Sequence, residues 1–176
     1  MKNIEPPPKK KKIIYLSSYP PRGCGIATFT RDLVNSIDKE FNPHIKSEVI
    51  ALNDRKYEYD DKVGFEISDK KKKEFKNIAK KINEDKDIAL VSIQHEFGLY
   101  GGKYGRYILT FLRYLNKPSV VTFHTVIPNP VNKLRKTVKK LSENCEKIIV
   151  MSQTAVKILT SQYEIPEEKL KVIYHG

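Results

Sequence analysis

The sequence predicts an α/β fold, a Rossmann-like, doubly wound parallel sheet with helices on both faces. Short apolar runs alternate along the chain with segments whose apolar residues recur every three or four positions, the patterns of buried strands and of the helices that cover them. The run Ile88–Ile93 is apolar at nearly every residue, as is typical of a central parallel strand. Strict alternation of the two patterns favours a parallel sheet.

The first half of the chain contains three predicted strands. A helical face after the first strand carries Ile26, Phe29 and Leu33 at positions i, i+3 and i+7. A later helix can be capped by Ser68 or Asp69, although the lysines of its first turn oppose the helix dipole. In order, the predicted elements are the strand Ile13–Ser17, the helix Ile26–Asp38, the strand Lys46–Leu52, the edge strand Val63–Ile67 and the helix capped near Ser68.

The second half continues the alternation. Pro118 is tolerated before a strand, Ser152 is a plausible helix cap, and Pro166 ends a helix. The predicted elements are the strand Ile88–Ile93, a helix with Tyr104, Tyr107, Ile108, Phe111, Leu112 and Leu115 on one face, the strand Ser119–Phe123, a helix Pro130–Asn144, the strand Ile148–Met151, a helix that ends at Tyr163 and the strand Lys171–Tyr174.

The length of 176 residues predicts one folded domain, residues 13–176, after a Lys/Pro-rich tail, residues 1–12, that we expect to be disordered. No apolar run approaches the roughly 20 residues of a membrane span, and the start of the chain lacks a secretory signal. Cys24 and Cys145 do not form a disulfide framework. These features predict a cytoplasmic protein with reduced thiols.

The net charge of +12 calls for an anionic partner or for solvated lysine tracts. Aromatic residues are not interleaved with arginine as in nucleic-acid-binding sheets, so we expect no nucleic-acid partner. The helix Pro130–Asn144 carries Lys133, Lys136, Lys139 and Lys140 opposite its apolar face. That lysine face is either a solvated surface or a peripheral contact with an anionic membrane.

Ligands of parallel α/β sheets bind outside the carboxyl ends of the strands. His95, His124 and His175 each follow a predicted strand and are expected to converge on one crevice. A lone histidine at a strand end is more often structural, whereas three at one rim favour a ligand role. His44 lies in a turn and reads as surface. Motifs of phosphate-loop, nucleophile-elbow and helical zinc sites are absent from the sequence.

The loop between the first strand and its helix contains Gly23 and Gly25. The two glycines would let the loop turn sharply and bring its backbone close to a ligand. The N-terminus of the following helix suits an anion such as phosphate. An ordinary strand-to-helix turn explains the same residues equally well, so both interpretations stay open.

From residue 13 to its end the chain resembles the N-terminal half of glycosyltransferase family four, retaining enzymes of the GT-B fold. The matching stretches, in the family's order, are Ser17–Thr30, Ser92–Gly98 with Tyr100–Gly102, Val121–Thr125, Val150–Ser152 and Val172–Gly176. The resemblance implies a hexosyltransferase of carbohydrate biosynthesis with a nucleotide-sugar donor, a sugar or lipid-linked acceptor, and no cofactor or obligatory metal. It also implies a C-terminal donor-binding domain, absent from these residues, without which the chain should be inactive or nearly so.

The resemblance also assigns roles to individual residues. His124 is the expected catalytic residue, which contacts the donor sugar and steadies charge at its anomeric carbon. Expected contacts with the donor or its phosphates are Arg22, Gly23, Cys24 and Gly25; expected contacts with the acceptor are His95, Glu96 and Tyr100; no metal ligand is expected. Tyr100, with Tyr19 and Phe97, forms either an aromatic wall for a sugar ring or part of the core.

Two alternatives belong to other functional classes. An NAD-dependent oxidoreductase would use Gly23, Gly25 and Thr28 as a partial Rossmann fingerprint and Asp54 as the ribose-binding acid. The threonine and the distance of the glycines from the strand count against it. A non-catalytic binding or regulatory half-protein is the other alternative, because one domain supplies only one wall of a two-domain site.

Overall fold

The computed structural model of the chain describes residues 10–174, in which seven parallel strands form one sheet in the order β3-β2-β1-β4-β5-β6-β7. The strands are β1 (Lys11–Ser17), β2 (Ile45–Asn53), β3 (Val63–Ser68), β4 (Ile88–His95), β5 (Ser119–Phe123), β6 (Lys147–Val150) and β7 (Leu170–Val172). The order reverses beside β1, where the chain first runs to β2 and β3 and then crosses back to β4. This arrangement confirms the predicted Rossmann-like parallel sheet.

Five α-helices connect the described strands, and they lie on both faces of the sheet. They are α1 (Gly25–Phe41), α2 (Lys72–Glu84), α3 (Ile108–Tyr114), α4 (Asn132–Glu143) and α5 (Gln153–Tyr163), with short 3-10 helices at Lys103–Gly105 and Glu167–Lys169. Right-handed crossovers place α1 on one face and α2–α5 on the other. No helix among residues 10–174 has the length and apolar character needed to cross a bilayer.

Alternate residues of β1 show the two faces directly, since neighbouring side chains of a strand point in opposite directions. Ile14 and Leu16 belong to the large hydrophobic cluster under α2–α5, whereas Tyr15 belongs to a smaller cluster with Val34 of α1. The central strands β1 and β4 are buried along most of their length. The core therefore consists of two layers divided by the sheet.

The chain enters the sheet two residues earlier than predicted. Residues 1–9 of the expected tail lie outside the described residues. Lys11 and Lys12, which were also assigned to that tail, are the first two residues of β1 and pair with β2. The ammonium group of Lys12 lies 3.0 Å from a carboxylate oxygen of Asp85 and 3.5 Å from one of Glu48. These ion pairs compensate the charge of a lysine at the start of a buried strand.

The starts of helices α2 and α3 differ from the prediction. Helix α2 begins at Lys72 and has no side-chain cap, because Ser68 ends β3 and the Asp69 amide donates to the Asn53 carbonyl. The helix predicted from Tyr104 begins only at Ile108. Tyr104 adopts a left-handed backbone conformation, with φ of 60°, which interrupts a continuous helix. Ser152, by contrast, caps α5 as predicted, through a bond from the Ala155 amide.

Candidate active site

The loop between β1 and α1 is held by short polar contacts. The hydroxyls of Ser17 and Thr30 lie 2.7 Å apart, and Thr30 also donates to the Ile26 carbonyl. Cys24 is the N-cap of α1: its sulfur accepts from the Ala27 amide and lies 3.0 Å from the Ser18 hydroxyl. The thiol that sequence reasoning assigned to the donor therefore already serves the helix start. Its contact with a donor stays a prediction.

Gly23 and Gly25 are exposed, and a Cβ added to either would meet no atom within 4 Å. Neither has a positive φ; the glycines that do are Gly101, Gly102 and Gly105. The structure therefore shows no left-handed turn at these two glycines, and their contact with a donor stays a prediction. What they provide is open space above the backbone at the start of α1, where the first amide groups of a helix have no helical acceptor.

His124 lies at the carboxyl edge of β5, on the α1 side of the sheet. Its Nε2 is 3.0 Å from Oε1 of Gln94, and its ring packs edge-on against Phe29 with ring centroids 4.8 Å apart. The backbone amide of His124 donates to the His95 carbonyl. Because the amide oxygen of Gln94 only accepts, Nε2 of His124 carries a proton, and the ring is fixed in position by α1, β4 and its own strand.

A groove of about 780 Å³ runs along α1 beside His124. Its lining combines apolar side chains with polar groups and includes Gly25, Ile26, Thr28, Phe29, Asp32, Leu33, Ser36 and His124. The structure thus brings His124 and the glycine loop, far apart in sequence, onto one open surface. A groove that combines apolar surface with a few polar groups is suited to bind an organic ligand and orient it.

His95 does not join that surface. Its side chain is 1% exposed, stacks on Tyr100 with ring centroids 5.6 Å apart, and meets the edges of Phe97 and Phe123. Neither ring nitrogen has a hydrogen-bond partner among the described residues. Burial, and to a lesser degree the charge of His124, lowers the pKa of His95 to about 3. His95 is therefore a neutral aromatic residue of the core. Of the histidines expected to meet at one crevice, His124 lies at the groove and His95 does not. His175 lies outside the described residues.

Glu96 lies at the rim and turns away from its neighbour His95, as expected for adjacent residues of an extended segment. One of its carboxylate oxygens accepts from the Thr125 hydroxyl at 2.6 Å, and the other accepts from the Phe97 amide. Thr125 directly follows His124, so Glu96 ties the end of β4 to the end of β5. A contact between Glu96 and an acceptor stays a prediction.

Tyr100 is fully buried, which corrects the expectation that it lines an acceptor pocket. Its hydroxyl lies 2.9 Å from the Leu16 carbonyl oxygen and 2.8 Å from that of Gln94. It thereby bridges the ends of β1 and β4. Of the two interpretations of this aromatic residue, core packing is the one that the structure shows.

Arg22 also faces inward rather than toward solvent. Its guanidinium donates to the Leu52 carbonyl at 2.7 Å and lies 3.6 Å from Asp69 and 3.9 Å from Asp54. Burial raises the pKa of Asp69, and the charge of Arg22 acts in the opposite direction. Arg22 therefore anchors the glycine loop to the ends of β2 and β3; its expected contact with phosphate stays a prediction.

Replacing Arg22 by alanine is expected to lower the free energy of unfolding by about 2 kcal/mol, because the Leu52 carbonyl and the Asp69 carboxylate lose their partner. The loss should be larger at pH 7 than at pH 4, since the raised pKa of Asp69 leaves less of its carboxylate ionised at the lower pH. Urea unfolding at both pH values measures it. Arg31→Ala is the control, since Arg31 forms an exposed pair with its neighbour Asp32. Equal effects of the two variants would contradict the anchoring role.

Gln94 is the residue that sequence reasoning did not assign. It is fully buried, accepts from His124 and donates to the Ser92 hydroxyl at 3.2 Å. The available signal was its alternation with Ser92 in an otherwise apolar strand, which places two polar side chains on the α1 face. Among the described residues, no group of three or more histidine, cysteine, aspartate or glutamate side chains could hold a metal ion.

Comparisons with known proteins bear on this site. A protein-family model described as Glycosyltransferase Family 4 matches residues 25–176. A comparison with curated proteins gives no significant match.

Several solved structures share the fold. A glycosyltransferase from Rickettsia africae ESF-5 matches with a TM-score of 0.63 and 16% identity over 94% of this chain and 43% of its own. The lipopolysaccharide outer core galactosyltransferase WaaB matches with a TM-score of 0.60 and 10% identity over 94% and 46%. An α-glucosyltransferase in complex with UDP and a 13-mer DNA matches with a TM-score of 0.59 and 16% identity over 94% and 42%. This chain spans less than half the length of each.

Proposed function

The chain belongs to glycosyltransferase family 4, and on that basis we propose that it forms the acceptor-side half of a retaining hexosyltransferase. The whole enzyme would move a sugar from a nucleotide-sugar donor to an acceptor hydroxyl. The observation that carries this proposal is the groove along α1, in which Gly25 and His124 line one surface at the carboxyl edge of the sheet. Family membership also favours transfer chemistry over the NAD-dependent oxidoreductase alternative.

In the proposed reaction His124 meets the donor sugar. Its ring is held by Gln94 and Phe29 before any ligand arrives. A dipole that needs no reorganisation stabilises charge most effectively where that charge develops, here at the anomeric carbon. In the proposed reaction the fixed ring would therefore act mainly in the transition state.

The donor diphosphate would lie at the start of α1. The first turn of this helix contains no acidic residue, and Gly23 and Gly25 leave its approach open. Exposed amide groups and the positive end of the helix dipole favour an anion at that point. The proposal includes no cofactor and no obligatory metal, since these groups already present positive potential to the diphosphate.

The acceptor would occupy the remainder of the groove. Ile26, Phe29 and Leu33 supply apolar contact, whereas Asp32 and Ser36 supply hydrogen-bonding groups. This mixture suits a sugar acceptor with an apolar part, including a lipid-linked one. Glu96, beside His124 through Thr125, would orient the accepting hydroxyl.

Two further parts of the proposal concern partners. Because the chain spans less than half the length of its structural neighbours, we propose that a C-terminal domain supplies most of the nucleotide contacts and that residues 1–176 alone transfer little or no sugar. A structure of the α-glucosyltransferase contains UDP, which supports a nucleotide-sugar donor here. We also propose a cytoplasmic location, and the lysine face of α4 supports peripheral contact with an anionic membrane.

The test is a transfer assay with the protein produced from its complete reading frame, a panel of radiolabelled nucleotide sugars, and a membrane and sugar extract as acceptor. Incorporation of label from one nucleotide sugar, and none from residues 1–176 alone, is the expected result. Binding of nucleotide sugars without transfer or hydrolysis would favour the non-catalytic half-protein. Micromolar NADH binding in a fluorescence titration, with no nucleotide-sugar binding, would favour the oxidoreductase.

A further inference from the structure

Two adjoining cavities open between helices α2, α3 and α4, on the face of the sheet opposite α1. The larger has a volume of about 640 Å³ and the smaller about 250 Å³, and both are lined by Arg106, Leu109 and Lys140. We call the two together the α2–α4 groove. The larger cavity is lined by the cationic residues Lys72, Lys73, Lys76, Arg106, Arg113 and Lys140.

The smaller cavity extends this basic lining. It adds Lys103, Lys133 and Lys136, which reach it from the 3-10 helix and from α4. No aspartate or glutamate lines either cavity. The cations come from three separate helices and the segment before α3, so their convergence is a product of the fold rather than of one lysine-rich stretch.

Aromatic side chains order part of this lining. The Lys76 ammonium lies 4.8 Å from the ring centroid of Tyr114, and the Arg113 guanidinium lies 5.8 Å from the same ring. Lys103 lies 5.3 Å from the ring of Tyr104. Together with Leu109 these rings form an apolar floor under the charges. Cations held on aromatic rings lose less side-chain entropy when an anion binds.

The groove cations differ from basic residues elsewhere on the chain. On the other side of α4, Lys139 lies 2.6 Å from the Glu164 carboxylate. Lys62 pairs with Asp38, and Arg22 lies near Asp54 and Asp69. Within residues 10–174 none of the cations that line the groove takes part in an ion pair with a carboxylate. Like charges held together without counter-charges destabilise a fold, and a bound polyanion would remove that cost.

We propose that the α2–α4 groove binds a ligand that carries two or more phosphate groups. Arginine and lysine together provide forked and point-charge donors for phosphate oxygens, and the two adjoining cavities offer room for more than one phosphate. The apolar floor accommodates the carbon scaffold of such a ligand. The ligand is either a soluble polyphosphorylated molecule or the phosphorylated headgroup of a lipid. This site is independent of the groove at His124 and of the proposed transfer reaction.

The experiment compares two triple variants of the protein that lose the same charge. The groove variant is Lys76→Gln, Arg113→Gln and Lys140→Gln; the control variant is Lys46→Gln, Lys86→Gln and Lys157→Gln, all three exposed outside the groove. Inorganic tripolyphosphate is the soluble probe, measured by calorimetry. Vesicles of phosphatidylcholine, with and without phosphatidylinositol bisphosphate, are the lipid probe, measured by co-sedimentation.

The groove variant is expected to lose about tenfold or more of the affinity for the probe that binds, whereas the control variant keeps it. Loss of tripolyphosphate binding identifies a soluble ligand; loss confined to phosphatidylinositol bisphosphate vesicles identifies a lipid headgroup. Thermal unfolding checks that both variants are folded. Because the groove charges repel one another, their removal should leave the Tm unchanged or raise it. The proposal is overturned if neither probe binds, or if both variants bind equally well.

Discussion

Replacing His124 by alanine is expected to lower kcat of sugar transfer by about 10²–10³ in the protein produced from its complete reading frame, with little change in KM. The physical reason is that a preorganised dipole beside developing charge contributes mainly in the transition state. His124 is placed for that role by Gln94, at 3.0 Å, and by Phe29. Steady-state kinetics with the donor identified in the transfer assay provide the measurement.

The matched control is His44→Ala, which removes an exposed histidine from the turn before β2. It should leave both kcat and KM unchanged. Both variants are expected to stay folded, because His44 is exposed and His124 is only half-buried. Circular dichroism and thermal unfolding check this. Undiminished turnover of His124→Ala would refute the catalytic role, and a rise in KM alone would reassign His124 to substrate binding.

The architecture follows from features that are local in sequence. Buried strands such as Ile88–His95 and the amphipathic face of α1 depend on periodicity within a single segment, and periodicity is visible without tertiary structure. Parallel order then follows from the alternation of these segments. The same reasoning located Ser152 as a cap, since capping involves residues three positions apart.

The site was harder to predict because its side chains are placed by contacts between distant segments. Sequence position puts His95 at a strand end, but Tyr100, Phe97 and Phe123 enclose it. The turn that follows Tyr100 also contains Gly101 and Gly102, which adopt positive φ. The loop pattern alone did not distinguish these glycines from Gly23 and Gly25.

Charge partners illustrate the same limit. Arg22 was expected to face a ligand because it adjoins the glycine loop, yet it lies against carboxylates that follow β2 and β3. The α2–α4 groove likewise forms only when three helices pack side by side, so each lysine run looks solvated when taken alone. Long-range electrostatics was therefore the part of this molecule that its sequence pattern did not reveal.

Replacing His95 by phenylalanine is expected to make the protein markedly more resistant to acid. In the folded state the pKa of His95 is lowered to about 3, whereas an unfolded histidine titrates near 6.5. Below about pH 6.5 the unfolded chain therefore binds a proton at His95 that the folded chain does not bind. The free energy of unfolding falls as the pH falls from there toward 3. Linkage gives a loss of about 2 kcal/mol between pH 7 and pH 5 that the phenylalanine variant should not share.

The substitution should be well tolerated at pH 7, because His95 has no hydrogen-bond partner to lose among the described residues and already packs as an aromatic ring. Urea unfolding at pH 7, 6 and 5 measures how the free energies of unfolding of the variant and the wild type move apart. At pH 5 the difference corresponds to about 4–8 °C in Tm. His44→Phe, at an exposed position, should retain the pH dependence of the wild type. Parallel pH profiles for His95→Phe and the wild type would show that His95 is protonated within the fold, contrary to its neutral, buried role.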